Sequence, residues 1–208
     1  MSENDVFSYR TFAGRSRTKI AVGACRFFAS ISPCETEEEA RTFISLVKEE
    51  LPGATHHAYA YRLGTGVDIL ARCSDDGEPA LTAGQPMLAV LEKENLTNAV
   101  LVGTRYFGGV KHGVGGLIRA YRSCAQAGVE EAVICEKEPE EVFLVTVPYD
   151  YVGGVLKEIE ARGGKVAGSQ YLHNVQISVL LPLKEKEDFF KRVGELSRGT
   201  AHITLIKN

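Results

Sequence analysis

Val175, Ile177, Val179 and Leu181 recur at every second position, the pattern of a strand buried on one face. Around them the periods change in a regular order. Val142-Phe-Leu-Val-Thr-Val147 is β-rich, and Val152, Val155, Leu156 and Ile159 recur at helical spacing before a Gly163-Gly164 stop. Phe189, Phe190, Val193 and Leu196 predict a second helix, and Ala201-His-Ile-Thr-Leu-Ile206 a closing strand. With one more strand after the glycine stop, the tail reads βαββαβ, the ferredoxin-like order.

Upstream the two periods are also interleaved. Thr36-Glu-Glu-Glu39 has the form of a capping box, and Ala40, Phe43, Ile44 and Val47 make the apolar stripe of the helix it opens. Strands are predicted over Ile20 to Phe28, Thr55 to Arg62, Val67 to Cys73 and Ala99 to Thr104, with helices near Ala83 to Glu94 and Gly115 to Ala127. Between the two regions lies Cys135-Glu-Lys-Glu-Pro-Glu-Glu141, charged and proline-containing. The expected architecture is therefore α+β in two domains, residues 1–137 and 138–208.

Composition narrows this little. A chain of 208 residues with 44% hydrophobic content can fill two modest cores. It has no apolar run of about 18 residues, and Met-Ser-Glu-Asn-Asp at its start lacks the features of a secretory signal, so no membrane partner and a cytoplasmic location are expected. Cys25, Cys34, Cys73, Cys124 and Cys135 contain no Cys-x-x-Cys pair and read as reduced thiols. A net charge of −3 argues against a nucleic-acid-coating protein, so any polyanion binding must be local.

Charge is unevenly placed within the first domain. Between Asn95 and Val129 there is no Asp or Glu, yet Arg105, Lys111, Arg119 and Arg122 lie there, and six of the fourteen residues from Gly103 to Gly116 are glycine. Glycine lets another molecule approach the backbone, and the N-terminus of the following helix favours an anion. The spacing is neither a P-loop, which needs Lys-Ser or Lys-Thr after its last glycine, nor a dinucleotide fingerprint, which needs glycine where Ile118 stands. The acidic counterpart is Cys73-Ser-Asp-Asp-Gly-Glu-Pro79. Asp75, Asp76 and Glu78 could bind a divalent cation, stabilise a helix starting near Thr82, or pair with Arg105 and Arg119 to lock two loops together. His56 and His57 are adjacent on a strand and so face opposite ways. No Ser-His-Asp or Cys-His arrangement is present, and the acid beside Cys73 disfavours its thiolate.

Asp75-Asp-Gly-Glu-Pro79, Thr82-Ala-Gly-Gln-Pro86 and Arg105-Tyr-Phe-Gly-Gly109, followed by Gly113-Val-Gly-Gly-Leu-Ile-Arg-Ala-Tyr121, resemble the signature of the IMPACT family, bacterial members of the YigZ type. Ala54-Thr-His-His-Ala-Tyr-Ala-Tyr61 resembles its histidine segment. Leu81 stands where the family usually has glycine, and His112 where it usually has an aliphatic residue. The resemblance implies a first domain like domain two of ribosomal protein S-five or domain four of elongation factor G, and a tail like that factor's fifth domain. It also implies a non-enzymatic regulatory protein linked to translation, which contacts RNA, a ribosomal component or a protein partner and needs no cofactor. The expected binding residues are His56, Asp75, Asp76, Glu78, Arg105, Tyr106, Gly108, Gly109, Lys111, Gly115, Gly116 and Arg119. The competing expectation is an enzyme that holds a phosphorylated small molecule at the glycine loop and a divalent metal at the acidic loop.

Overall fold

The computed structural model describes residues 8–66, 69–109 and 112–206. The chain divides into two compact units, Tyr9–Lys137 and one built on Glu138–Asn208.

In the first unit a five-stranded antiparallel sheet has the order β2-β3-β6-β4-β5, with β2 at Ser16–Val22, β3 at Cys25–Pro33, β4 at His56–Leu63, β5 at Leu70–Ser74 and β6 at Ala99–Tyr106. Alternation along each strand sorts side chains to two faces. Phe27, Ala29 and Ile31 of β3, Ala58 and Ala60 of β4 and Leu101 of β6 are buried beneath α2 (Gly84–Lys93) and α3 (Gly113–Glu131). Tyr61, Leu63, Val100 and Val102 turn to the opposite face, where α1 (Glu37–Glu50) lays down Ala40, Phe43, Ile44 and Val47. Each such fully buried Phe, Leu, Ile or Val contributes about 1.5–3 kcal/mol. The α1 cap forms, with Thr36 Oγ1 accepting from the Glu39 N–H, but the Glu39 carboxylate accepts from the Glu35 N–H, one residue before the cap.

Two local expectations are corrected. The strand expected over Ile20 to Phe28 is a hairpin: Gly23, at φ +56°, and Ala24 form a two-residue turn, so Val22 pairs with Cys25. The strand expected from Val67 begins at Leu70, and positions 67 and 68 lie outside the described residues. The charged Cys135–Glu141 segment that marks the expected boundary lies largely in strands. Its first part belongs to β7 (Ile134–Lys137), which pairs with β1 (Tyr9–Phe12), and its end opens β8 (Glu140–Val147). Pairing across the length of the unit holds β7 in place, and local composition carries no sign of it.

The second unit has the expected order. β8 (Glu140–Val147), α4 (Val152–Ala161), β9 (Lys165–Tyr171), β10 (Val175–Pro182), α5 (Lys186–Leu196) and β11 (His202–Leu205) form a ferredoxin-like fold with sheet order β11-β8-β10-β9. Val175, Ile177, Val179 and Leu181 are all buried against Val155, Ile159, Phe189 and Val193. Leu156, expected in the α4 stripe, is exposed; Val155 and Ile159 are buried on that face and Val152 packs beside them.

Candidate functional site

The acidic loop leaves β5 and enters α2. Asp76 at φ +48° and Gly77 at φ +88° reverse the chain tightly, and the Glu78 N–H bonds back to the Asp75 carbonyl at 3.1 Å. That reversal separates the three carboxylates.

Asp75 turns toward α2, whose N-cap, Ala83, offers no side-chain acceptor. The Asp75 carboxylate takes over that role, accepting from the Ala83 and Gly84 N–H groups at 2.9 Å and from the Leu81 N–H at 2.8 Å. Burial opposes its charge, but the three backbone donors together outweigh it and hold the carboxyl below its usual range. Asp76 turns the other way and accepts from the His57 N–H at 2.7 Å and Lys48 Nζ at 3.0 Å. Against the effect of its own burial, these donors hold its carboxyl low as well.

Glu78 alone points inward. Both of its oxygens accept from Arg105 Nη1, at 2.8 and 2.9 Å, and Oε1 also accepts from the Tyr121 hydroxyl at 2.7 Å. The Glu78 and Arg105 side chains are 3% and 7% exposed, so the pair is desolvated. His56 Nδ1 donates to the Asp76 carbonyl at 2.8 Å, and Nε2 faces Glu78 at 3.8 Å. On the far side of Arg105, Nη2 is 3.8 Å from Cys25 Sγ, which also accepts from the Gly108 N–H at 3.3 Å. Burial and the Glu78 carboxylate push the Tyr121 phenol well above its ordinary range.

The fold therefore brings together Glu78, Arg105, His56 and Gly108 from the expected set, with Asp76 touching His56 through its backbone carbonyl; the Asp75 and Asp76 carboxylates are engaged elsewhere. Lys111 lies outside the described residues. Arg119 is exposed on α3 and has no carboxylate partner among the described residues, so of the two arginines expected to lock the loops Arg105 alone pairs with an acid. Tyr106 donates its hydroxyl to the Pro52 carbonyl at 3.1 Å. Gly108 is required by packing, because a Cβ there would lie 1.9 Å from the Ala24 carbonyl oxygen; Gly109, at φ +91°, is required by conformation. Gly115 and Gly116 form the first turn of α3, and a Cβ on Gly116 would meet His112 at 2.9 Å.

Tyr121 and Cys25 escaped the sequence reading. Tyr121 falls in the apolar stripe of α3, where its one signal is being Tyr rather than Phe. Cys25 gives no signal until the β2–β3 turn brings it under Gly108. The buried Cys124 thiol is pushed up to about 12, and Cys73 is raised by burial and by Asp75. None of the five cysteines is in a disulfide. Among the described residues no group of three His, Cys, Asp or Glu side chains is arranged to hold a metal, and no helix is long and apolar enough to cross a membrane.

A glycine-framed loop tied to an acidic loop by one buried ion pair, on an α+β domain followed by a ferredoxin-like domain, defines a class of two-domain protein. Residues 24–129 match the Impact N-terminal domain, and residues 136–207 match the elongation factor G C-terminus. The chain belongs to the IMPACT family. It is 34% identical over 196 residues to IMPACT family member YvyE of Bacillus subtilis (strain 168), covering 94% of this chain and 90% of that protein. It is 31% identical over 183 residues to IMPACT family member YigZ of Escherichia coli (strain K12), covering 88% and 90%. A crystal structure of a hypothetical protein superposes with a TM-score of 0.78 at 29% identity, covering 98% of this chain and 99% of that one.

Proposed function

We propose that this chain is a non-enzymatic binding protein of the translation apparatus that contacts RNA through the cationic end of its first domain. The observation that carries the reading is the use made of the acidic loop. Each of its three carboxylates is engaged by protein donors, Asp75 by a helix N-terminus, Asp76 by β4 and Lys48, and Glu78 by Arg105 and Tyr121. A divalent ion would have to displace those donors before it could be bound, and among the described residues no nucleophile paired with a base lies beside them. The loop is thus a brace that positions the glycine loop and α3. Arg119 and Arg122 are exposed on that helix, and the matched elongation-factor-like domain follows in the same chain.

Arg105, buried and neutralised by Glu78, has no charge to offer a phosphate. Among the described residues Arg119 and Arg122 remain, so log affinity for a single strand should fall with log salt at a slope of roughly −1.4 from this surface. Fluorescence anisotropy with labelled single-stranded RNA at two salt concentrations tests this. Arg119→Ala with Arg122→Ala is expected to flatten the slope by about 1–1.5. Absence of RNA binding at low salt, or binding indifferent to salt, would refute the proposal and favour a protein partner.

A further inference from the structure

A second acid-free stretch acquires meaning only in the fold. No Asp or Glu occurs between Val6 and Cys34, while Arg10, Arg15, Arg17, Lys19 and Arg26 do. This stretch supplies β2 and β3, and β3 pairs with β6, which belongs to the acid-free stretch that runs on into α3. The two stretches therefore lie side by side, with β2 as the sheet edge.

Because Phe27 and Ala29 are buried toward α2 and α3, Arg26 and Phe28 point to the other face of β3. There α1 packs on residues of β4 and β6, while toward the β2–β3 turn Phe28 and Tyr106 are only partly covered. Four side chains form a strip there in register: Lys19 opposite Phe28, and Arg26 opposite Tyr106. Lys19 Nζ lies 5.9 Å from the centre of the Phe28 ring, the Arg26 guanidinium lies 5.3 Å over the Tyr106 ring, and the two rings meet edge to face at 5.9 Å. Lys19 and Arg26 are exposed, and both rings are half-buried. Arg17, next along the edge, is answered by Glu50 and donates to Ser30 Oγ at 2.7 Å. Neither Lys19 nor Arg26 has such a carboxylate among the described residues.

We infer that the Lys19–Phe28–Tyr106–Arg26 strip is a stacking platform for the unpaired bases of single-stranded RNA. This deepens the RNA reading above and rests on it. The chemistry fits unpaired bases carried on a phosphate backbone. Cations track the phosphates, while ring faces and a guanidinium plane take bases, which a duplex keeps stacked inside. An acidic protein surface would use the cations but has no need of the rings. The strands hold the four groups on a rigid frame, so little ordering accompanies binding.

The chain contains no tryptophan, so Phe28→Trp places a single fluorescent reporter on the strip. Its emission is expected to be quenched saturably by an oligouridine strand and not by a matched RNA duplex at equal phosphate concentration. Phe28→Ala is expected to weaken oligouridine binding roughly 5- to 150-fold. Lys19→Ala with Arg26→Ala should lower the magnitude of the salt slope by about 1.4. If the parent binds the strand but the indole is not quenched and Phe28→Ala binds like the parent, the platform is wrong while the RNA reading stands. If no strand binds at low salt, both fall. Equal quenching by a polyglutamate peptide would also overturn the platform, since a polyanion without bases would then suffice. Should Phe28→Ala fail to fold, the Phe28→Trp readout decides alone.

Discussion

Replacing Glu78 by alanine should cost the first domain most of its stability. The carboxylate neutralises Arg105 through two contacts of 2.8 and 2.9 Å and accepts the Tyr121 hydroxyl at 2.7 Å, in surroundings from which water is nearly excluded. Removing one partner of a buried pair leaves an uncompensated charge and typically costs about 3–5 kcal/mol. The orphaned phenol adds about 1 kcal/mol. A total of about 4–6 kcal/mol approaches the whole stability of many domains, about 5–15 kcal/mol. Glu78→Gln keeps the shape and an acceptor for Tyr121 but removes the charge, and should fall between parent and alanine. Glu78→Leu combined with Arg105→Met should recover much of the loss, because the desolvation of both charges disappears together. Urea unfolding followed by far-ultraviolet circular dichroism measures these four proteins together with the single variants Glu78→Leu and Arg105→Met. If Glu78→Ala loses less than about 1 kcal/mol, or if the double variant shows simple additivity, the pair is not the brace described above.

Leu81 is 65% exposed with φ +63°, a conformation that costs an L-residue about 1–2 kcal/mol, whereas glycine there adds about 0.4–1 kcal/mol of unfolded-chain entropy. Leu81→Gly should therefore raise the melting temperature by about 1–4 °C, while Leu81→Ala should not; a lower melting temperature for the glycine variant would show that Leu81 packs to advantage. Asp75 titrates below its usual range when folded, so its contribution is fully present above the unfolded carboxyl value of about 3.9 and is lost as pH falls toward the folded one. Asp75→Asn should be less stable than the parent at neutral pH and lose less on acidification, as unfolding free energies measured across pH will report; parallel curves for the two proteins would remove Asp75 from the account.

Some of this protein was legible along the chain because the information is periodic and local. Alternation at Val175 to Leu181 and helical spacing around Phe189 and Val193 made the ferredoxin-like order readable, since a residue's position in such a pattern decides which way it faces. The IMPACT signature was readable for the same reason: its glycines and acids are close together in sequence and individually unusual. Which acid does what was not. Asp75, Asp76 and Glu78 are near neighbours in the chain, and two consecutive positive-φ residues send them in three directions, to α2, to β4 and to Arg105. Tyr121 and Cys25 joined Glu78 and Arg105 only when α3 and the β2–β3 turn closed over β6. The basic strip from Lys19 to Tyr106 likewise needs β3, which belongs to one acid-free stretch, to pair with β6 of the other, far from it in the chain. Sequence alone determined most of the elements, the domain pair and the family, because each is written in short-range spacing; β1 and β7 and the β2–β3 hairpin are the exceptions. The tertiary structure decided which charges are neutralised and which remain available, because neutralisation depends on distance and burial between residues brought together by strand pairing across the domain.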